Sequence, residues 1–129
     1  MKKIFTLLLL PLALAGCSSS ITNLTPSRLE RNSAGLYRVE EAWLTGEDAI
    51  PVETLKPMVL VGYDSYPMKP ETVVNNRWEM FLPVQADQKW VHYKFRFDFQ
   101  REEITTPMDD SKLSPEYTLQ IVDPGPAGK

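Results

Sequence analysis

Two side chains in this 129-residue chain could serve as a nucleophile and a general base, Cys17 and His92, and each residue type occurs once. A thiol beside an imidazole would open acyl-transfer chemistry if a third group oriented the pair. Cys17, however, stands at the exit of an apolar run, and His92 lies in "WVHYKFRFDFQ" (90–100) among alternating polar residues. There is no Gly-x-Ser-x-Gly elbow and no His/Cys cluster with the spacing of a zinc site. "PMDDSKLSPE" gathers the oxygen ligands Asp109, Asp110, Ser111 and Glu116, but without the spacing of an EF-hand loop, and reads as a polar loop. The expectation is a protein with no catalytic residues, no metal site and no cofactor.

The chain opens "MKKIFTLLLLPLALAGC". Lys2 and Lys3 form a short basic start, Ile4 to Ala15 an apolar run, and Leu14-Ala15-Gly16-Cys17 a small-residue ending. A spanning helix needs about 20 apolar residues, so this is the layout of a secretory signal. A conventional cleavage site at Ala13-x-Ala15 is the alternative ending. Leu14 to Cys17 resemble the lipobox of bacterial lipoproteins. That resemblance implies a thiol alkylated by a diacylglyceryl group, cleavage before Cys17, and acylation, as by palmitate, of the amine set free. It makes residues 1–16 the signal peptide and Cys17 the attachment to a membrane. Ser18 resembles the second residue of lipoproteins sorted to the outer membrane, where aspartate is the usual retention signal.

Such an anchor consumes the only cysteine, so the exported domain must hold together without disulfides. Removing 1–16 leaves 113 residues, enough for one domain with a core of its own. Without Lys2 and Lys3 the chain keeps 12 basic residues against 17 acidic ones and no basic cluster, which argues against nucleic acid as a partner.

Alternation dominates what remains. In residues 90–100 one parity carries Val91, Tyr93, Phe95, Phe97 and Phe99, and the other Trp90, His92, Lys94, Arg96, Asp98 and Gln100. A strand sends successive side chains to opposite faces, so this one has an aromatic inner face and a charged outer one. "RWEMFLPV" (77–84) and "EYTLQIV" (116–122) repeat the pattern, which places Trp78 in the core. "PMVLVGY" (57–63), apolar on both parities, reads as a central strand covered on both faces. "GLYRVEEAWL" (35–44) reads as a strand broken near Glu40-Glu41 by a bulge. Turn-rich links separate these segments, among them "YPMKPETVVNN" and "TTPMDDSKLSP". Residues 17–27 read as the lipidated cysteine and a tether, although Ile21, Leu24 and Pro26 could begin an edge strand. Residues 28–129 form an all-β domain, a sandwich of about seven strands or, second, a small barrel.

From Val59 to Asp98 the order of features resembles the early-set immunoglobulin-like modules found beside glycan-processing enzymes, including glycogen-binding domains. Val59 and Gly62 end one strand, Tyr66 lies in the following loop, Leu82-Pro83 end another strand, and Tyr93-Lys94-Phe95 with Asp98 mark the next. The resemblance implies an aromatic at Tyr66 stacking on a sugar and a hydrogen bond from Lys94 to the glycan. The family's Asp-Gly and second tryptophan are replaced here by Asp98-Phe99-Gln100-Arg101. Tyr63, Tyr66, Trp90 and Lys94 are thus the candidate ligand-binding residues. The expectation is a lipid-anchored envelope module that binds another envelope protein, with a polysaccharide as the alternative partner. An enzyme, or an inhibitor of one, is the third reading.

Overall fold

The computed structural model describes residues 19–45 and 50–125; Cys17 and the leader before it lie outside the described residues. Ten strands follow in order: β1 (Ser20–Asn23), β2 (Arg28–Glu30), β3 (Leu36–Leu44), β4 (Lys56–Val61), β5 (Asp64–Pro67), β6 (Lys69–Pro70), β7 (Arg77–Pro83), β8 (Trp90–Arg101), β9 (Met108–Leu113) and β10 (Tyr117–Val122). They make two sheets, ordered β1-β3-β7-β6 and β2-β10-β8-β4-β5, with β9 also paired to β8. One pass of the chain switches sheet partway, from β1 to β2, and another from β5 to β6, while β9 and β10 run along one edge of β8. The ten segments are therefore seven passes of the chain. Their order is that of an immunoglobulin-like sandwich, with one extra strand beside β4 and a first strand shared between the sheets. A single closed barrel is not formed.

The core follows from β8. Val91, Tyr93, Phe95, Phe97 and Phe99 are all buried, and the residues between them turn outward. Across the gap Trp43 of β3 lies 4.5 Å from the Phe97 ring and 5.6 Å from Phe99, and Trp78 of β7 meets Phe97 edge-on at 5.4 Å. Tilted and edge-on contacts at such distances are the favoured ones for aromatic pairs.

Three expectations are corrected. β3 has no bulge: its register with β7 runs unbroken from Leu36↔Pro83 to Ala42↔Arg77. Residues 108–113, read as part of a link, form β9, because β10 covers that edge of β8 only as far as Tyr93 and the backbone beyond it needs a partner. Ser20–Asn23, assigned to the tether with an edge strand as the alternative, pair with Leu44–Glu41 of β3, so the edge strand forms and the domain starts before residue 28. A bulge does occur on the far edge of β8. Between the pairs Tyr93↔Tyr117 and Arg96↔Leu113, two residues of β8 face three, Ser114 to Glu116. Ser114 repairs the ladder: its Oγ accepts the Phe95 N–H at 2.8 Å, and its own N–H donates to the Phe95 carbonyl at 2.8 Å.

The unbroken β3 has a consequence for Glu41. Strict alternation carries it inward between Val39 and Trp43, where it is 0% exposed and neither carboxylate oxygen has a hydrogen-bond partner. Burial disfavours the charge and pushes its pKa from 4.5 up to about 9, so it is a neutral acid at pH 7. The unfolded chain ionises from about pH 4.5 upward while the folded one keeps its proton. Stability is therefore greatest below that pH and falls as pH rises toward 9, by about 1.4 kcal/mol per unit in the steep region. Urea midpoints should fall between pH 5 and pH 8, and Glu41→Gln should flatten that dependence by roughly 4 kcal/mol over the range. Equal pH profiles for the two proteins would contradict the burial of an unpaired acid. Phe97→Ala should cost about 3–5 kcal/mol in the same assay, since it empties the contact between both tryptophans.

Candidate functional site

The outer face of the larger sheet is built by the residues β8 turns away from the core. Trp90, at 52% exposure, opens the row, followed by His92, Lys94 and Arg96. Register supplies the neighbours. Leu60 of β4 lies opposite Lys94 and Met58 opposite Arg96, while Leu113 of β9, 54% exposed, lies opposite Arg96 from the other side. Pro67 of β5 continues that row beyond Met58. The double-apolar pattern of "PMVLVGY" was expected to signal cover on both faces; Val59 is buried, but Met58 and Leu60 are only half-buried on the outer side. These apolar side chains flank the two cations, and they were missed because burial was inferred from composition alone.

Charges on this face are mostly tied locally. Asp98 takes Arg96 in a fork, with the Arg96 Nε and Nη2 donating to Oδ1 at 2.8 Å and Oδ2 at 3.2 Å. His92 Nδ1 is 2.9 Å from Thr118 Oγ1 and 4.0 Å from Glu116 Oε1, an exposed arrangement. Asp110 belongs to the other parity of β9; a hydrogen bond from Arg101 at 2.8 Å, joined by the Ser111 N–H, lowers its pKa. Asp109 instead accepts from Gln100. Successive residues of a strand, Asp109 and Asp110 leave opposite faces rather than converging. Among the described residues no group of three or more His, Cys, Asp or Glu is placed to hold a metal.

The candidate residues are not brought into one site. Trp90 and Lys94 share the outer face, four residues and about 13 Å apart along β8. Tyr63 is fully exposed at the tip of the β4–β5 hairpin, where Gly62 supplies the left-handed φ of +58°. Tyr66 pairs with Val59, which also pairs with Phe95, so it faces inward and packs against the core. Tyr66 and Lys94 therefore leave opposite faces of the sheet. Cys17 lies outside the described residues.

The smaller sheet carries a different surface. On its outer side Arg38 Nε donates to Glu79 at 2.6 Å, and Arg38 Nη2 lies 3.4 Å from Glu40 and 3.5 Å from Glu71. The bond to Glu79 holds the Arg38 pKa above its usual value, and partial burial raises that of Glu40. Phe81 stands exposed opposite Arg38. A solvated ion network of this kind adds little stability.

Residues 1–18 match the model for the prokaryotic membrane lipoprotein lipid attachment site. The chain is thus an exported bacterial lipoprotein, held at a membrane through a lipid anchor and carrying a β-sandwich. No curated protein matches the chain in sequence. Among solved structures, that of murine CRIg is similar over 82% of this chain and 99% of its own, with 13% identity and a TM-score of 0.42. The anchor makes one prediction: Cys17→Ala should move the protein from membranes to the soluble fraction, because anchoring rests on acyl chains at about 0.8 kcal/mol per buried methylene. Unchanged membrane sedimentation would contradict it.

Proposed function

We propose that this lipoprotein is a non-catalytic module that binds another envelope protein through the outer face of its larger sheet, from an anchor in the outer membrane. The observation that carries this reading is the row Leu113, Arg96, Met58 and Pro67 across four strands, with Leu60 and Lys94 beside it and Trp90 along the same face. Interfaces favour aromatic, Met and Arg side chains at their centre. At about 4.8 Å between strands and about 3.3 Å per residue, the face offers roughly 700 Å², close to one side of a standard interface. Ser18 after the lipidated Cys17 supports the outer membrane as its address.

Glycan binding has less support. A sugar stacked on Tyr66 cannot also accept a hydrogen bond from Lys94, because the sheet stands between them. Of the candidate residues, Tyr63 and Trp90 are the exposed rings, one at a hairpin tip and the other on the flat face.

The test places a photo-crosslinking side chain at position 113 or 90 in cells, with position 81 on the other sheet as the control. A discrete protein adduct is expected from 113 and 90 but not from 81, reduced about tenfold by Arg96→Glu. Equal adducts from all three positions would overturn the proposal. Binding of the purified protein to glucans, chitin or peptidoglycan, weakened by Lys94→Ala, would put the glycan reading in its place.

A further inference from the structure

The sandwich has two unlike ends, and the chain enters at only one of them. β1 runs antiparallel to β3, so Ser20 lies beside Leu44. β7 starts at the same end with Arg77 opposite Ala42, which brings the 71–76 loop there. β4 starts there too, with Lys56 opposite Asp98, so the last residues of β8 and the 102–107 turn project from that end. Most of the exposed apolar side chains outside the sheet faces are gathered here: Val52, Val73, Ile104 and Met108, with Leu44 at the close of β3. Val73 is 87% exposed and Ile104 is fully exposed, each at the tip of its own loop.

The distance from this end to the lipid is short. Ser19 is buried; its hydroxyl donates to Thr45 Oγ1 at 2.8 Å, and its carbonyl accepts from Lys112 Nζ. Two peptide units, with Ser18 between them, join the Cα of Ser19 to that of Cys17, a reach of at most about 7 Å. An acyl group on Cys17 cannot enter a bilayer unless this end of the sandwich comes down to the headgroups.

We infer that the Ser19 end of the sandwich is a membrane-contact surface, on which Val73 and Ile104 enter the headgroup region of a phospholipid bilayer and hold the strands upright. The inference rests on lipidation at Cys17. Its lipid is zwitterionic: Glu102 and Glu103 stand exposed beside Ile104, so apolar insertion rather than attraction to anionic headgroups makes the contact. The contact also gives a use to the exposed loop tips, which no element of the described chain covers.

The experiment uses the full lipidated protein reconstituted in phosphatidylcholine–phosphatidylethanolamine vesicles, with an environment-sensitive fluorophore on Val73→Cys, Ile104→Cys or Tyr63→Cys. Tyr63 is the control because its hairpin lies at the opposite end, about 35 Å away along β8. Fluorophores at 73 and 104 should shift to the blue and be quenched at least about twofold more by spin-labelled lipid than the one at 63. Vesicle flotation of the same samples reports the anchor separately. Protein that floats but shows equal quenching at 63, 73 and 104 would overturn the contact surface and leave the anchor standing. Protein that does not float would overturn both.

Discussion

The contact between Trp43 and Phe97 carries a duty that antibody domains divide between packing and a covalent bond. β3 and β8 occupy the places of the two strands that antibody domains join by an inter-sheet disulfide packed on a tryptophan. Here no cysteine is available to either sheet. Cohesion across the gap comes from rings instead: Phe97 lies between Trp43 and Trp78, one from each inner strand of the smaller sheet, and Phe99 extends the contact along β8. Such a core is indifferent to the redox state of its compartment, unlike one stapled by a disulfide. It also demands strict register, because a one-residue slip of β8 would expose four rings and bury Lys94 and Arg96.

That dependence explains what could be read from sequence. β8, β7 and β10 were legible because each has one buried and one solvated face, and burial imposes a period of two on residue type. β1 and β9 escaped for the opposite reason. β9 is an edge strand largely outside the sandwich gap, so Asp110 and Lys112 fall on the inner parity without being in the core. Four residues of β1 are too few to display a period, and its Asn23 turns inward to donate to the Tyr93 hydroxyl at 2.9 Å rather than pack as an apolar residue. Position Glu41 was illegible because two adjacent glutamates look like an interruption of a strand. The pairing of β3 on both sides overrides that local signal and takes one of them into the core.

The candidate site was legible in part by the same logic. Parity alone assigned Trp90 and Lys94 to the outer face. Tyr66 could not be assigned that way, because its face depends on the length of the turn before it. With Val61 paired to Asp64 across Gly62 and Tyr63, Tyr66 comes level with Val59 and faces the core. One more residue in that turn would have brought it round to the face of Lys94. The order of short motifs thus agrees with the strands while the two residues expected to act together lie on opposite faces, so a likeness of that kind speaks for a fold and not for a site.

Anchor and face constrain each other. β8 spans 12 residues from Trp90 to Arg101, about 40 Å, and its Arg101 end is the one tied to the lipid by the shortness of the chain before Ser19. An upright sandwich turns the row of Leu113, Arg96 and Met58 sideways, parallel to the membrane plane, at less than half that height above the headgroups. A partner gripping this row must itself reach down to the bilayer surface, which suits a membrane-embedded or membrane-anchored protein better than one diffusing freely. Tethering both partners to the same surface raises their effective concentration for each other, so an interface of only moderate size would suffice. The same geometry sends long polysaccharide chains from the aqueous side first to the far end, where Tyr63 at the hairpin tip and Trp90 at the start of β8 are exposed. That approach leads away from the row that Leu113, Arg96 and Met58 form nearer the membrane.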